Sequence, residues 1–546
     1  MCHGAVPATV YRRVSVSTPV RVLRALRRDQ DRWLLLTATL LWTCVLVAHT
    51  LLTPVWRSPD EPNHFDLVLD VADGRGYASW DEDRLSVAVV KASASVREWP
   101  PRQQMAPDLR GLPPVSDSPE MSDRPNHMTQ HPPAYYHLLG GELRVMRALG
   151  LAPDSVSAQL ALTRVLSSLL LVPLPFLAWL FARSLRVGRL GCRVALLLPL
   201  VVPGLAQVGS AVSNDALLLL VFSLLAVALA RYQGGHRSLP VVASIGVLCG
   251  LALYTKAFGA AAVVWAVVVV AAGARRLGAR RVVADLASIT ALAFAIGGWW
   301  YLGNVLRDGR VMPSLEESRF AAANALPGAA TEPQVWSDRF FPVAGRGFFG
   351  LLGYAEVSVS DLAYWIALVV SGIGFVLGVI AIRRRRGPLL LLAVPLPLLL
   401  VLQASQSYRL YETSGVVALG HGRYLLPAFL PCAALLVAAV DRRDRIARVA
   451  GPVALLAAVA MHANIWGRAL HFFWSTEGPW SALVAAVDWS PLPRVMSLAA
   501  LGAIPPLTIL LMVLVLVAPR GRDSAPTAPT PRPRGAPTGG VPAIGA

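Results

Sequence analysis

Apolar residues recur along this chain in runs long enough to cross a bilayer, about 20 residues each, separated by polar connections. The runs lie near residues 33–55, 159–182, 194–212, 215–230, 239–255, 257–274, 283–302, 362–382, 388–403, 424–440, 449–467 and 495–518. They predict an all-α polytopic membrane protein with about twelve transmembrane helices, in a range of 10–13. The fifth and sixth runs abut and read equally as one broken element. Two connections are much longer than the rest, at 56–158 and 303–361. In the first of them, Tyr135, Leu139, Leu143 and Met146 fall at helical spacing, which predicts an amphipathic helix in the interface or against the bundle.

Arginine placement orients these elements. A basic arm occupies residues 1–32, and alternate connections hold Arg183 and Arg186, Arg231 and Arg237, Arg275 and Arg276, Arg383 to Arg386, and Arg442 and Arg443. The positive-inside rule then puts both termini in the cytoplasm and both long loops outside. The first run follows the long basic arm and reads as an anchor, not a cleaved signal peptide. Residues 519–546, rich in Pro, Ala and Thr, read as a disordered cytoplasmic tail around the 33–518 membrane domain.

Composition agrees and sharpens the charge argument. Of 546 residues, 55% are hydrophobic and only 15% charged, too apolar for a soluble enzyme or a disordered chain. The net charge of +18 is concentrated on the side assigned to the cytoplasm, so it reports topology and is no nucleic-acid footprint. The five cysteines form no CxxC pair and none lies in the first long loop, which argues against a disulfide framework or zinc site. The arginine-rich, lysine-poor composition suggests a bacterial source, and hence the cytoplasmic (inner) membrane. No Walker-type glycine-rich loop appears. An enzyme of this kind draws its energy from an already activated, membrane-borne substrate.

Candidate chemistry gathers on the outer side. Ser58-Pro59-Asp60-Glu61-Pro62-Asn63-His64 follows the first span directly. Prolines restrict the backbone and can aim the two carboxylates. A positioned Asp can accept or orient a hydroxyl proton, and the plain alternative is an acidic turn capping a helix that starts near Pro62. The loop ends with His131-Pro132-Pro133-Ala134-Tyr135-Tyr136, where His131 reads as a phosphate or metal ligand or as a helix-entry residue. Ser213-Asn214-Asp215 either caps the fourth span or faces an outer cavity. Lys256, one of two lysines, ends the fifth span and Arg423, ahead of Tyr424, opens the tenth on the same side; they can hold a lipid phosphate or snorkel to headgroups. Outer-end aromatics, such as Trp299-Trp300-Tyr301, read mostly as an interfacial belt.

In order and sidedness, Asp60-Glu61-Pro62 with His64, then His131-Pro132-Pro133 with Tyr135-Tyr136, then Asn214-Asp215, resemble the integral-membrane GT-C glycosyltransferase superfamily. Protein O-mannosyltransferases and aminoarabinose transferases are its best-known members. Gly347 to Tyr354 and Gly422 to Pro427 are similar to segments of a bacterial branch of membrane proteins. The resemblance covers roughly residues 33–518. It implies a GT-C-like fold and transfer of a sugar, with inversion, from a polyprenyl-phosphate donor to an envelope glycan, lipid or protein acceptor. Asp60 matches the catalytic carboxylate and Glu61 the one that supports it, while Asp215 matches a further acidic position. His64, His131, Tyr135, Asn214, Asp215, Lys256, Arg423 and Tyr424 are the candidate substrate-binding residues. Some relatives use a divalent cation such as Mg or Mn, for which Asp60, Glu61, His64, His131 and Asp215 could furnish ligands, though no spacing fixes one. Two other functions share the topology: a flippase or transporter of lipid-linked saccharides, and a glycan polymerase.

Overall fold

The computed structural model describes residues 30–80, 82–97, 120–273, 278–313, 332–418, 420–440, 444–474 and 478–517. The basic arm before Gln30 and the tail after Val517 lie outside them. A helix stands at each of the twelve predicted positions. Among the described residues, eight helices are long and apolar enough to cross a membrane. A ninth span results if Arg189–Val201 and Pro203–Gly209, bent by 64° at Val202, are taken together. Leu239–Thr255, Ala257–Ala271 and Gly422–Ala438 are apolar but shorter. Several of these positions hold two consecutive helices, such as Val156–Leu169 and Leu174–Ser184, and length supports eight or nine crossings among the described residues in place of about twelve. The fifth and sixth elements are separate: Lys256 takes an extended backbone (φ −164°, ψ 150°) that ends one helix before the next begins.

The first span, Gln30–Leu52, packs along the last, Arg494–Leu516, and Gln30 Nε2 donates to the Leu514 carbonyl across 2.7 Å. Both ends of the bundle are thereby tied together. Leu239–Thr255 packs tightly on Ala279–Ala293 and the π-helical turn Phe294–Gly298 that follows it. A Cβ on Gly297 would lie 2.2 Å from the Gly250 carbonyl, so only the small residues allow this approach.

Helix Glu61–Ala72 opens the first long loop, with Pro62 in its first turn, where the missing N–H costs nothing. It packs on Ala134–Ala148, the predicted amphipathic helix, which buries Tyr135, Leu139 and Leu143. That helix is seated on protein along this face. A two-stranded antiparallel pair, Arg84–Ser86 with Met121–Pro125, lies against Glu61–Ala72. In the second long loop, helix Pro333–Phe349 presses against the Gly422–Ala428 turn. A Cβ on Gly422 would stand 2.0 Å from Phe348 N, so glycine here is a packing requirement. This contact fixes where Arg423 emerges.

Candidate active site

The turn between the first span and Glu61–Ala72 does the local work. Asp60 precedes the helix in a left-handed conformation (φ 60°, ψ 3°) and makes no side-chain cap. Asp tolerates this region better than most residues, yet it still costs about 1–3 kcal/mol. The effect is to swing the carboxylate off the helix end and into a cavity. There Asp60 Oδ2 accepts from Arg423 Nη2 at 2.8 Å, and Oδ1 lies 3.7 Å from His127 Nε2.

Glu61 points the opposite way and is fully buried with Arg164. Arg164 donates Nε to Oε1 at 2.7 Å and Nη2 to Oε2 at 2.5 Å. Backbone N–H groups of Trp56 and Val212 complete the carboxylate's shell at 3.1 and 3.2 Å. The guanidinium also donates to the Thr53 and Pro54 carbonyls. With its lone pairs so engaged, Glu61 has no free edge toward the cavity. The pair instead clamps the turn that carries Asp60 onto helix Val156–Leu169. Arg164, a charge within the second apolar run, is this turn's buried partner.

Beside Asp60, two cations and a second carboxylate form a chain. Lys256 Nζ donates to Asp215 Oδ1 at 2.6 Å, and Arg423 Nε lies 3.3 Å from Asp215 Oδ2. Lys256 lies 4.5 Å from the centre of the Tyr424 ring and Arg423 5.2 Å, while Phe258 stacks on Tyr424 at 5.1 Å. Asp215 thus starts its helix without capping it and holds the two cations in place. Lys256 has two N–H groups left over, and Arg423 Nη1 makes no hydrogen bond among the described residues.

The cavity wall includes Asp60, His64, His131, Lys256, Arg423 and Tyr424, six of the ten residues singled out from sequence. Asp215 sits just behind the two cations. Tyr135 and Asn214 are packed away: Tyr135 Oη bonds Ser167 Oγ and the Ser213 N–H, and Asn214 Nδ2 reaches the Thr255 carbonyl. Gln130, Gln406 and Arg409 also line the wall and were not read from sequence. Buried Gln130 Oε1 and His131 Nδ1 have no hydrogen-bond partner among the described residues, as expected of groups that bind a ligand's hydroxyls. Arg409 is exposed at the wall and makes no ion pair among the described residues. Among the described residues lining the cavity, Asp60 is the one carboxylate.

Electrostatics favour an ionised Asp60 beside neutral histidines. Desolvation pushes Asp60 up, but the neighbouring His127 and the Arg423 charge outweigh it and hold the group well below the usual carboxylate range. Burial lowers His64 to about 3 and His421 to about 4, and holds His131 well below its usual value. Each histidine is depressed relative to the unfolded value of about 6.5, so folding favours its neutral form. The stability this supplies is complete above pH 6.5 and lost as pH falls through the folded values. Unfolding temperature, followed from pH 8 to pH 4 in detergent, is expected to decline below about 6.5. His64→Gln should flatten that decline; an unchanged slope would remove His64 from the account.

Residues 122–304 match the family described as dolichyl-phosphate-mannose-protein mannosyltransferase. The matched segment holds His131, Asp215 and Lys256 and leaves out Asp60 and Arg423. The match supports membership of the GT-C superfamily, as the motif order implied. Three solved chains also match. One is titled a crystal structure of ArnT from Cupriavidus metallidurans bound to undecaprenyl phosphate, at 14% identity and a TM-score of 0.43, covering 92% of this chain and 77% of that one. No curated protein matches.

Proposed function

We propose that this multi-pass GT-C protein transfers a sugar, with inversion, from a polyprenyl-phosphate donor to an envelope glycan, lipid or protein acceptor. The reaction takes place on the extracytoplasmic face of a bacterial inner membrane, with both termini in the cytoplasm. The observation that carries the reading is Asp60: a carboxylate in a left-handed backbone, aimed into a cavity that also presents Lys256 and Arg423. The acceptor hydroxyl attacks the anomeric carbon as the bond from that carbon to the phosphate oxygen breaks. The electron pair leaves on the polyprenyl phosphate, whose charge Lys256, Arg423 and Arg409 offset. Asp60, ionised and oriented by Arg423, takes the hydroxyl proton as the new bond forms. A single open carboxylate among the described lining residues suits one direct displacement. Gln130 and His131 hold sugar or acceptor hydroxyls, and the stacked Phe258 and Tyr424 offer an apolar wall for a sugar ring.

A transporter finds less support. Arg164, a charge buried within an apolar helix, is closed off by Glu61 instead of lining a path.

The test is reconstitution in liposomes with a labelled polyprenyl-phosphate sugar. Release of polyprenyl phosphate with a new glycoside of inverted configuration is expected. Donor crossing the bilayer without product would favour a flippase, and transfer of whole repeat units a polymerase. Because Arg409 is exposed and makes no ion pair among the described residues, Arg409→Ala should leave folding intact. Hydrogen bonds to charged groups are worth about 1.5–3 kcal/mol, so the donor KM should rise about ten- to a hundredfold with kcat nearly kept. An unchanged KM would place the phosphate elsewhere.

A further inference from the structure

We propose that the first long loop contains a cation site separate from the cavity, in which Asp66, Asp70 and Asp83 bind one hard divalent cation, calcium fitting best. Asp66 and Asp70 are four residues apart on helix Glu61–Ala72 and so share a face. Asp83 arrives from the residue before strand Arg84–Ser86. One carboxylate oxygen from each lies within 4.8 Å of the others. Oxygens that ligate one calcium at 2.3–2.6 Å can be no farther apart than about 5 Å.

Charge points the same way. The three side chains are 0%, 6% and 8% exposed. Arg75 pairs with Asp70 and is shared with Asp73. Among the described residues, Asp66 accepts hydrogen bonds from the neutral N–H and hydroxyl of Ser86 alone, with Ser86 Oγ at 2.6 Å. Asp83 Oδ2 is buried and has no hydrogen-bond partner among the described residues. Three buried carboxylates against one shared arginine leave negative charge that must be met by protons or by a cation. The donor set is all oxygen, with no Cys or His, which selects a hard ion. A side-chain cage with a nearby hydroxyl suits calcium better than magnesium, which keeps its waters. None of the five ligands considered from sequence belongs to this group. The ion would tie helix Glu61–Ala72 to its neighbouring strand, and Asp60 stands at the start of that helix.

The experiment uses the full chain purified in detergent, stripped with EDTA and desalted, then supplied with CaCl2, MnCl2 or MgCl2. Retention of about one calcium per chain by elemental analysis is expected. Unfolding temperature should rise by about 3 °C or more at millimolar calcium, with smaller responses to magnesium. Asp83→Asn and Asp70→Asn should each lose both responses, whereas Asp60→Asn should keep them. Should either loop variant fail to fold, the wild-type titration and the Asp60→Asn comparison still decide. The proposal is overturned if stripped wild-type protein retains no calcium and its unfolding temperature does not move, which would mean that the carboxylates hold protons. It is equally overturned if Asp83→Asn keeps the calcium response, or if Asp60→Asn loses it.

Discussion

Asp60→Asn is expected to lower sugar transfer by about 10²–10⁴-fold, the usual contribution of a positioned general base, while leaving the protein folded. The two effects separate for a physical reason. Asn occupies the left-handed region at least as readily as Asp, and its amide oxygen can still accept from Arg423. What it loses is the negative charge and the capacity to take a proton. The check is initial rate with labelled donor, beside unfolding temperature. Full activity in the variant would remove Asp60 from the chemistry, and a fall in unfolding temperature that accounts for the lost rate would make its role structural.

Glu61→Gln, one position along, is expected to do the reverse: cost about 3–5 kcal/mol of stability, as when one partner of a buried ion pair is removed. Gln brings an N–H₂ group to a shell in which Arg164, Trp56 and Val212 all donate. At least one donor then faces another, and Arg164 keeps its charge without a counter-ion. Arg164→Met should cost a similar amount. Glu61→Gln with Arg164→Met together should cost less than the sum, because no buried charge is left over. Denaturation in mixed micelles, with the double variant closing the cycle, measures this. Additive losses would mean that the clamp is not a unit.

These two neighbours show what sequence could and could not reveal. The acidic motif was legible because adjacent carboxylates between prolines at a membrane boundary are costly unless used. Its division of labour was not, since Asp60 and Glu61 part ways only through the left-handed turn, and nothing in a Pro-Asp-Glu-Pro string prescribes that conformation. Lys256 stood out as one of two lysines on an apolar chain. Its partner Asp215 is 41 residues away and Arg423 is 363 residues from Asp60, distances over which no pattern speaks. Helix Ala134–Ala148 was readable from its apolar period, and the same reading singled out Tyr135, which the fold then spends on Ser167 and Ser213. Arg409 and Gln406 were invisible because they end a long apolar helix, where an arginine looks like any snorkelling residue. Arg164 offered the clearest missed signal: a charge inside an apolar run demands a partner, and Glu61 was the carboxylate available.

On this proposal the donor's phosphate and anomeric carbon meet within the Asp60 cavity. A cryo-EM map of the chain with a non-hydrolysable polyprenyl-phosphate sugar bound tests it most directly. The phosphate is expected in contact with Lys256 and Arg423, the anomeric carbon facing Asp60, and Glu61 still closed on Arg164. Phosphate density elsewhere, with Asp60 remote from the sugar, would contradict it.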